Sequence, residues 1–288
     1  MKFKGKYLLL SIPFMIFSSC IYETKDYNTE EQDDKEGKNI EKEWFSPSKE
    51  TQRKEDQFYT RLSVPYKNYR LARIDLQMQA GEFYISGGTQ NLVDAEYTYM
   101  SKNHAPDLRY DVVDDGVVIH SKMPEVDLSN IHFNDKESDK CEITLNRKTV
   151  TDLSVKFGAG EGNFDLTGIA LRKVKFEMGA GEFNIKISDV PLQIFDLSAG
   201  VGEATVDFRG DWKQNLKASF KCGIGELRIK IPHDVNVSVE LNGLLGSIDA
   251  PSFSRHSRRE LSYHGGDGFP EIKMYIQGGL GNIELTVD

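Results

Sequence analysis

The second half of the chain repeats a four-residue phrase, Gly-X-Gly-Glu, at nearly constant spacing. Its four strict copies begin at Gly158, Gly179, Gly200 and Gly223. The second glycines of these copies are separated by steps of 21, 21 and 23 residues. Such a repeat indicates a stacked architecture, because a unit of this length cannot bury an apolar face by itself.

Apolar residues alternate with polar ones on both sides of the second glycine, but the parity changes at Gly-Glu. Alternation with period two indicates strands with one buried face. The change of parity predicts a corner at Gly-Glu, since glycine allows a tight bend. The series before the corner include Ala180, Val201, Ile224 and Leu280, which are therefore expected to point inward.

The pattern predicts an all-β fold, a β-helix-like solenoid with one strand per rung of about 21 residues. Rungs stacked about 4.8 Å apart would close a common core and pair their backbones. A β-sandwich is the alternative, but it needs no corner at the same phase of every repeat. Residues 151–288 are assigned to the solenoid. Residues 66–150, which hold a looser copy at Ala80-Gly81-Glu82, are assigned to an N-terminal part that closes one end.

The N-terminus resembles a bacterial lipoprotein signal peptide. A short basic segment precedes an apolar run over residues 7–17, which is too short to span a bilayer. The run ends in Phe17-Ser18-Ser19-Cys20, which resembles a lipobox. Residues 1–19 are therefore predicted to be cleaved and Cys20 to be acylated. The alternative is an ordinary signal peptide with an incidental cysteine.

Residues 20–65 are predicted to form a disordered charged tether, because they contain few aliphatic residues. The expected location is the cell envelope, on its periplasmic or surface face. The net charge of −9 argues against nucleic-acid partners and against direct binding to anionic lipid headgroups. Attachment to the membrane is therefore expected to come from the acyl anchor.

Two further cysteines, Cys141 and Cys222, lie in alternating apolar stretches. Buried free thiols are the expected state, although an exported location also permits a disulfide. Neither the cysteines nor the histidines show the spacing of a zinc site.

If the rungs stack in register, the glutamates of the corners form a column of carboxylates. Hydrogen bonds from neighbouring corner amides would satisfy such a column structurally. Binding of Ca²⁺ or of a cationic partner is the functional alternative. The predicted members are Glu161, Glu182, Glu203 and Glu226.

A second candidate site lies in the insertion between the looser copies at Gly246 and Gly281. Clustered arginines suit carboxylate or phosphate groups, and loops on a rigid scaffold often carry function. A cap on the final turn is the structural alternative. The residues predicted for an anion-binding or partner-binding loop are Arg255, His256, Arg258, Arg259 and Tyr263.

The Gly-Ala-Gly-Glu phrases and their alternating flanks resemble the toast-rack and LiaF-type bacterial β-solenoid families, which are named after cell-wall-active antibiotic response proteins. The resemblance covers residues 66–288 and implies the solenoid fold. LiaF relatives restrain an envelope-stress sensor kinase, but they carry a multi-helix membrane region that this chain does not match. Toast-rack lipoproteins, which are more similar, largely have no assigned activity.

The sequence favours a lipid-anchored binding or structural protein over an enzyme. It contains no nucleophile elbow, zinc-protease helix motif or phosphate loop. The expected partner is an envelope protein or glycan. The last strand, Ile283–Val287, is expected to leave an unpaired edge through which two copies could pair. The alternatives are a regulator of envelope stress and, less well supported, a polysaccharide-acting enzyme.

Overall fold

A computed structural model of the chain describes residues 48–54, 57–123, 138–243 and 246–288. These residues form one 16-stranded sheet, together with a single 3₁₀ turn at Lys102–His104. In the described ranges, no helix is long and apolar enough to cross a membrane. The strands are β1 (Ser48–Lys54), β2 (Gln57–Val64), β3 (Leu71–Gly87), β4 (Val93–Tyr99), β5 (Asp107–Val113), β6 (Gly116–Lys122), β7 (Lys140–Leu145), β8 (Thr151–Asp165), β9 (Leu171–Lys186), β10 (Ile194–Asp207), β11 (Leu216–Ile231), β12 (Asn236–Asn242), β13 (Ser247–Asp249), β14 (Ser254–Arg255), β15 (Glu260–His264) and β16 (Glu271–Val287).

The long strands β8, β9, β10 and β11 are successive rungs of a solenoid. Each pairs in parallel with the next, and each continues without a break through its Gly-X-Gly-Glu phrase. The corner glycines are partners in the register: Gly160 pairs with Gly181, Gly181 with Gly202, and Gly202 with Gly225. The predicted fold class, with one strand per rung, is confirmed.

The second glycine of each phrase is required by both its backbone conformation and its surroundings. Gly181 has φ 147° and Gly202 has φ 125°, a region that side chains with a Cβ rarely adopt. A Cβ on Gly181 would overlap the carbonyl oxygen of Gly160, and one on Gly202 would overlap that of Gly181. The glycines recur because consecutive corners stack with their backbones in contact.

The interior is a continuous apolar core in which phenylalanines from successive rungs touch. The Phe164 and Phe176 rings have centroids 5.1 Å apart, and Phe195 lies 5.5 Å from Phe220. Phe176 and Phe195 are connected at 6.2 Å, so the aromatic contacts extend across four rungs. Burial of these side chains supplies the main stabilisation, because each fully buried Phe or Leu contributes about 1.5–3 kcal/mol.

The corner is wider than the sequence predicted. Val201, Ile224 and Leu280 were expected to point inward, but they are 52 %, 54 % and 53 % exposed. Ala180, in the same position of its rung, is exposed as well. The whole Gly-X-Gly-Glu phrase therefore forms the corner, because the two glycines turn the chain before the parity changes.

The final rungs are not in chain order. Strand β16 lies between β11 and β12, and it pairs in parallel with both. The expected free edge at Ile283–Val287 is therefore partly wrong: Ile283 pairs with Ile248 of β13, and within the described residues only Leu285–Val287 extends past β13. Strands β12 and β13 come earlier in the chain but form the outer rung, and the last strand, β16, lies between that rung and β11. Edge pairing of two copies remains a prediction.

The N-terminal end departs from two expectations. Residues 48–64 belong to β1 and β2, so the predicted tether over 20–65 is too long at its C-terminal end. Alternate residues of β2, including Leu62 and Val64, are buried and give this polar segment an apolar face. Residues 1–47 lie outside the described part of the chain. The boundary at residue 150 also divides a continuous sheet, because β3 pairs with β8 over the length of a rung.

Both described cysteines are free thiols, so the disulfide alternative is not realised. Cys141 is buried, and burial raises the pKa of its thiol well above the ordinary value. Burial likewise raises the pKa of the half-buried Cys222 to about 11. Neither thiol is activated for nucleophilic chemistry near neutral pH.

Candidate functional site

The arginine-containing insertion closes the C-terminal end of the sheet. Strand β15 pairs antiparallel with β12, and β14 pairs with β15. Leu261 is buried, and the rings of Phe253 and Tyr263 lie 5.9 Å apart while packing against the core. The capping role that the sequence left open is therefore present, because apolar residues of the insertion cover the last rung.

The same insertion places three exposed guanidinium groups around one surface cleft. Arg255, Arg258 and Arg259 line a cleft of about 640 Å³ together with Leu241 and Ile248. None of these arginines forms an ion pair with a carboxylate of the described residues, unlike several arginines elsewhere in the chain. The cleft combines a cationic rim with an apolar wall, which suits an anionic group carried on a less polar body.

The other two residues predicted for this loop do not line the cleft. His256 is hydrogen-bonded through Nε2 to Oγ of Ser262, at 2.7 Å. The Tyr263 hydroxyl donates to the carbonyl of His233, at 3.2 Å, and so connects the insertion to the preceding turn. Both side chains support the loop, and the three arginines carry its charge.

The glutamate column has the predicted register. Glu161 pairs with Glu182, Glu182 with Glu203, and Glu203 with Glu226. The column extends to Glu82 at one end, where Glu82 accepts hydrogen bonds from the hydroxyls of Tyr84 (2.9 Å) and Ser138 (3.3 Å). The hydrogen bond to Glu82 raises the pKa of Tyr84.

Arg228 divides the column into two halves. Its guanidinium contacts Glu226 and lies 3.0 Å from Glu203 and 3.6 Å from Glu284. The hydrogen bond to Glu203 and the charges of the other two carboxylates raise the pKa of Arg228. Glu161 and Glu182 form no ion pair within the described residues. The half containing β8 and β9 is therefore acidic, and the half containing β10 and β11 is largely neutralised.

The column does not have the geometry of a calcium site. No group of three or more His, Cys, Asp or Glu side chains in the described ranges could hold a metal ion. Neighbouring rungs keep consecutive carboxylates in single file, whereas Ca²⁺ takes six to eight oxygen ligands around one point. A cationic partner that follows the column fits the arrangement better than a single ion.

The sequence indicated the column and the arginines but missed two features of these surfaces. The apolar wall of the cleft comes from β12 and β13, on strands that precede the arginines in the chain. Arg228 occupies an ordinary outward position of β11, and only the stacking of rungs brings three carboxylates to it. The two-residue spacing of Glu226 and Arg228 was the available signal, since residues two apart on a strand point to the same face.

Comparison with known proteins supports the fold and gives the family. The sequence matches the family described as the N-terminal domain of toast_rack over residues 30–198 and 177–230. No curated protein matches the chain significantly. A candidate cell-adhesion protein from Clostridium sporogenes is similar in structure, with a TM-score of 0.62 and 21% identity, covering 80% of this chain and 99% of that one. A candidate adhesin from Bacteroides fragilis aligns with a TM-score of 0.37 and 15% identity, over 81% of this chain and 98% of that one.

Proposed function

The chain belongs to the toast_rack N-terminal domain family, and from this premise we propose that it is a non-catalytic binding protein of the cell envelope. Its N-terminus is attached to a membrane through an acyl group on Cys20, and its C-terminal cap binds anionic groups of an envelope partner. The observation that carries the proposal is the cleft bordered by Arg255, Arg258 and Arg259.

The order of the strands supports this division of roles. Strand β1, which follows the N-terminal segment, stands at one end of the strand order, and β14, which carries Arg255, stands at the other. An anchor at Cys20 would therefore leave the arginine cap at the end of the sheet farthest along the order from the attachment.

The chemistry of the cleft suggests the class of ligand. Guanidinium groups bind carboxylate and phosphate in pairs of parallel hydrogen bonds, and the wall formed by Leu241 and Ile248 offers contact to a sugar ring or an aliphatic chain. We assign the cleft to an acidic envelope glycan. The Clostridium sporogenes protein of similar fold is described as a candidate for cell adhesion, a role that uses the same kind of exposed contact.

Binding to an acidic polysaccharide tests the proposal. The variant Arg255→Ser/Arg258→Ser/Arg259→Ser is expected to lose most of its retention on immobilised polygalacturonate, with an unchanged melting temperature. The matched control is Lys67→Ser/Lys102→Ser/Lys148→Ser, which removes the same charge from exposed positions elsewhere. Equal retention of the two variants would show that the arginine cleft is not the binding site.

The anchor is tested separately from the ligand. Cells that express the protein are fed an alkyne-labelled fatty acid, and label is expected on the wild-type chain and not on Cys20→Ser. The variant should also leave the membrane fraction. Incorporation of label into Cys20→Ser would contradict acylation at this residue.

A further inference from the structure

The exposed residues between the paired glycines form an apolar row along the corner of the solenoid. Val201 pairs with Ile224 in the parallel register, and Ile224 pairs with Leu280. Each of the three side chains is about half exposed, at 52 %, 54 % and 53 %. We call Val201, Ile224 and Leu280 the aliphatic row. Among the described residues, these are the three most exposed large hydrophobic side chains.

The glycines on both sides make the aliphatic row stand out from the surface. The residues before and after Ile224 are Gly223 and Gly225, so no side chain of its own strand covers it. The position continues toward β8 with Ala180 and Ala159, whose small side chains lower the ridge. A partner can therefore approach the backbone closely along the whole corner.

The spacing of the aliphatic row matches the side chains on one face of a helix better than those on one face of an extended strand. Neighbouring rungs are about 4.8 Å apart. Side chains three or four residues apart on one face of a helix are separated by about 5–6 Å, whereas same-face residues of an extended strand are about 6.8 Å apart. A row of this kind is also a ridge that packs into the grooves between the side-chain rows of a helix.

The charges beside the aliphatic row determine where a docked helix needs basic residues and where it needs apolar ones. Glu161 and Glu182, one side-chain position beyond the second glycine, form no ion pair within the described residues, whereas Glu203 and Glu226 share Arg228. The corner is therefore acidic next to Ala159 and Ala180, and it is apolar with neutralised charges next to Ile224. A helix that follows it needs apolar residues at one end of its stripe and Lys or Arg at the other.

We propose that the corner between β8 and β16 docks a cationic amphipathic helix of a partner protein, with the aliphatic row in a groove of the helix and Glu161 and Glu182 against its basic residues. A second copy of this chain is a poorer occupant. Arg228, the cationic residue at the corner, is already paired with Glu203 and Glu226 and is not available to the Glu161 and Glu182 of a second copy.

The test uses the full-length chain on a sensor surface and a synthetic 18-residue helical peptide as the probe. Its leucines follow the i, i+3, i+4, i+7 pattern, and its lysines are placed at the N-terminal half beside the leucine stripe. A scrambled peptide of equal composition is the negative probe. The ordered peptide is expected to bind with a Kd below about 1 mM and the scrambled peptide to bind at least about tenfold more weakly. Equal binding of the two peptides, or none by the ordered peptide, would overturn the proposal.

Two variants of the corner locate the site, and a third variant is the control. Val201→Ser/Ile224→Ser/Leu280→Ser should weaken the ordered peptide by about tenfold or more. The control Val112→Ser/Val113→Ser/Val150→Ser, which changes three other exposed valines, should leave it unchanged. Glu161→Gln/Glu182→Gln should weaken binding less and reduce its dependence on salt. Equal binding by the first two triple variants would refute the assignment of the row.

Two further results separate this proposal from its alternatives. The triple serine variant of the arginine cleft should bind the ordered peptide normally, so the two sites can fail independently. Sedimentation should show the same oligomeric state for the wild-type chain and for Val201→Ser/Ile224→Ser/Leu280→Ser. A dimer that dissociates in Val201→Ser/Ile224→Ser/Leu280→Ser would assign the row to a second copy and overturn the helix.

Discussion

The rungs β8–β11 and the N-terminal strands β1–β7 differ in how their strands pair and in which side chains they bury. The rungs run parallel and bury apolar side chains almost throughout. The N-terminal strands include antiparallel pairs and bury hydroxyl groups in hydrogen-bonded pairs, such as Tyr97 with Ser121 at 2.5 Å and Thr60 with Tyr99 at 2.9 Å. An internal rung can bury its apolar side chains against a similar rung on each side. The strands at the end of the stack must instead cover the core without exposing an apolar face of their own.

The difference also appears at the corners. The rungs place a glycine carbonyl against the next glycine, as Gly160 does against Gly181. At the N-terminal end the carbonyl of Asp139 takes this position against Gly81, and it accepts the amide of Glu82 at 2.9 Å. The Asp139 side chain meanwhile accepts from the amide of Met100 at 3.2 Å and lies 3.0 Å from Nδ1 of His104. The backbone of Asp139 thus takes the place of the neighbouring glycine where the stack begins, while its side chain holds the segment through contacts to Met100 and His104.

The largest expected effect comes from filling the glycine column. Gly181→Ala puts a Cβ onto the carbonyl oxygen of Gly160 at φ 147°, and it should destabilise the chain by more than about 4 kcal/mol. The control is Gly168→Ala, in a turn at φ 67° where an added Cβ meets nothing within 4 Å. It should cost about 1–2 kcal/mol. Denaturant unfolding measures both, and equal losses would mean that the corners do not stack as described.

The next effect tests the apolar core of the rungs. Phe195→Ala removes a ring that lies 5.2 Å from Phe208 and 5.5 Å from Phe220, and it should cost about 3–5 kcal/mol. Chemical denaturation followed by circular dichroism gives the value. A loss below about 1 kcal/mol would show that the aromatic contacts contribute little to the stack.

A smaller effect is expected from the hydroxyl pairs of the N-terminal end. Tyr97→Phe leaves the buried Ser121 hydroxyl without its partner and should cost about 1–3 kcal/mol. Tyr97→Phe/Ser121→Ala removes both hydroxyls and should recover much of the loss. The double-mutant cycle is measured by thermal unfolding. Strictly additive losses would contradict a hydrogen bond between the two side chains.

The smallest effect is electrostatic and depends on pH. Burial acts to raise the pKa of Asp207, but hydrogen bonds from Arg209 outweigh it and hold the pKa below the ordinary value of 3.8. The folded state therefore favours the carboxylate, so this stability is present above about pH 4 and is lost as the pH falls through the lower folded value. Arg209 is 43 % exposed, so the contribution should stay below about 1 kcal/mol.

The contribution of the Asp207–Arg209 pair is measured by comparing the melting temperatures of the wild type and Asp207→Asn. The variant should melt at a slightly lower temperature at pH 7, and the gap between the two should narrow progressively as the pH falls below about 4. A gap that stays constant across this range would show that the charge of Asp207 does not contribute to stability.

The periodic part of the fold was predictable because each rung repeats the same physical constraint. The glycine spacing and the change of parity predicted the corners and the register of Glu161 and Glu182. The insertion of β16 between β11 and β12 was not predictable, because strand order depends on long-range pairing, which the spacing of the copies along the chain does not report. The exposed Ile224 was missed for a related reason: period-two alternation identifies a strand face, but it does not show where the chain leaves that face.

Spin-label distances along the corner test the central claim most directly. In a cysteine-free background, Leu280→Cys is paired with Ala159→Cys and, in a second variant, with Ala80→Cys. In-register rungs, with β16 directly after β11, place these positions four and five rungs apart, or about 19 and 24 Å between backbones. Two narrow distributions that differ by about one rung are the predicted result. Broad distributions, or a second distance no longer than the first, would contradict a common axis of stacking.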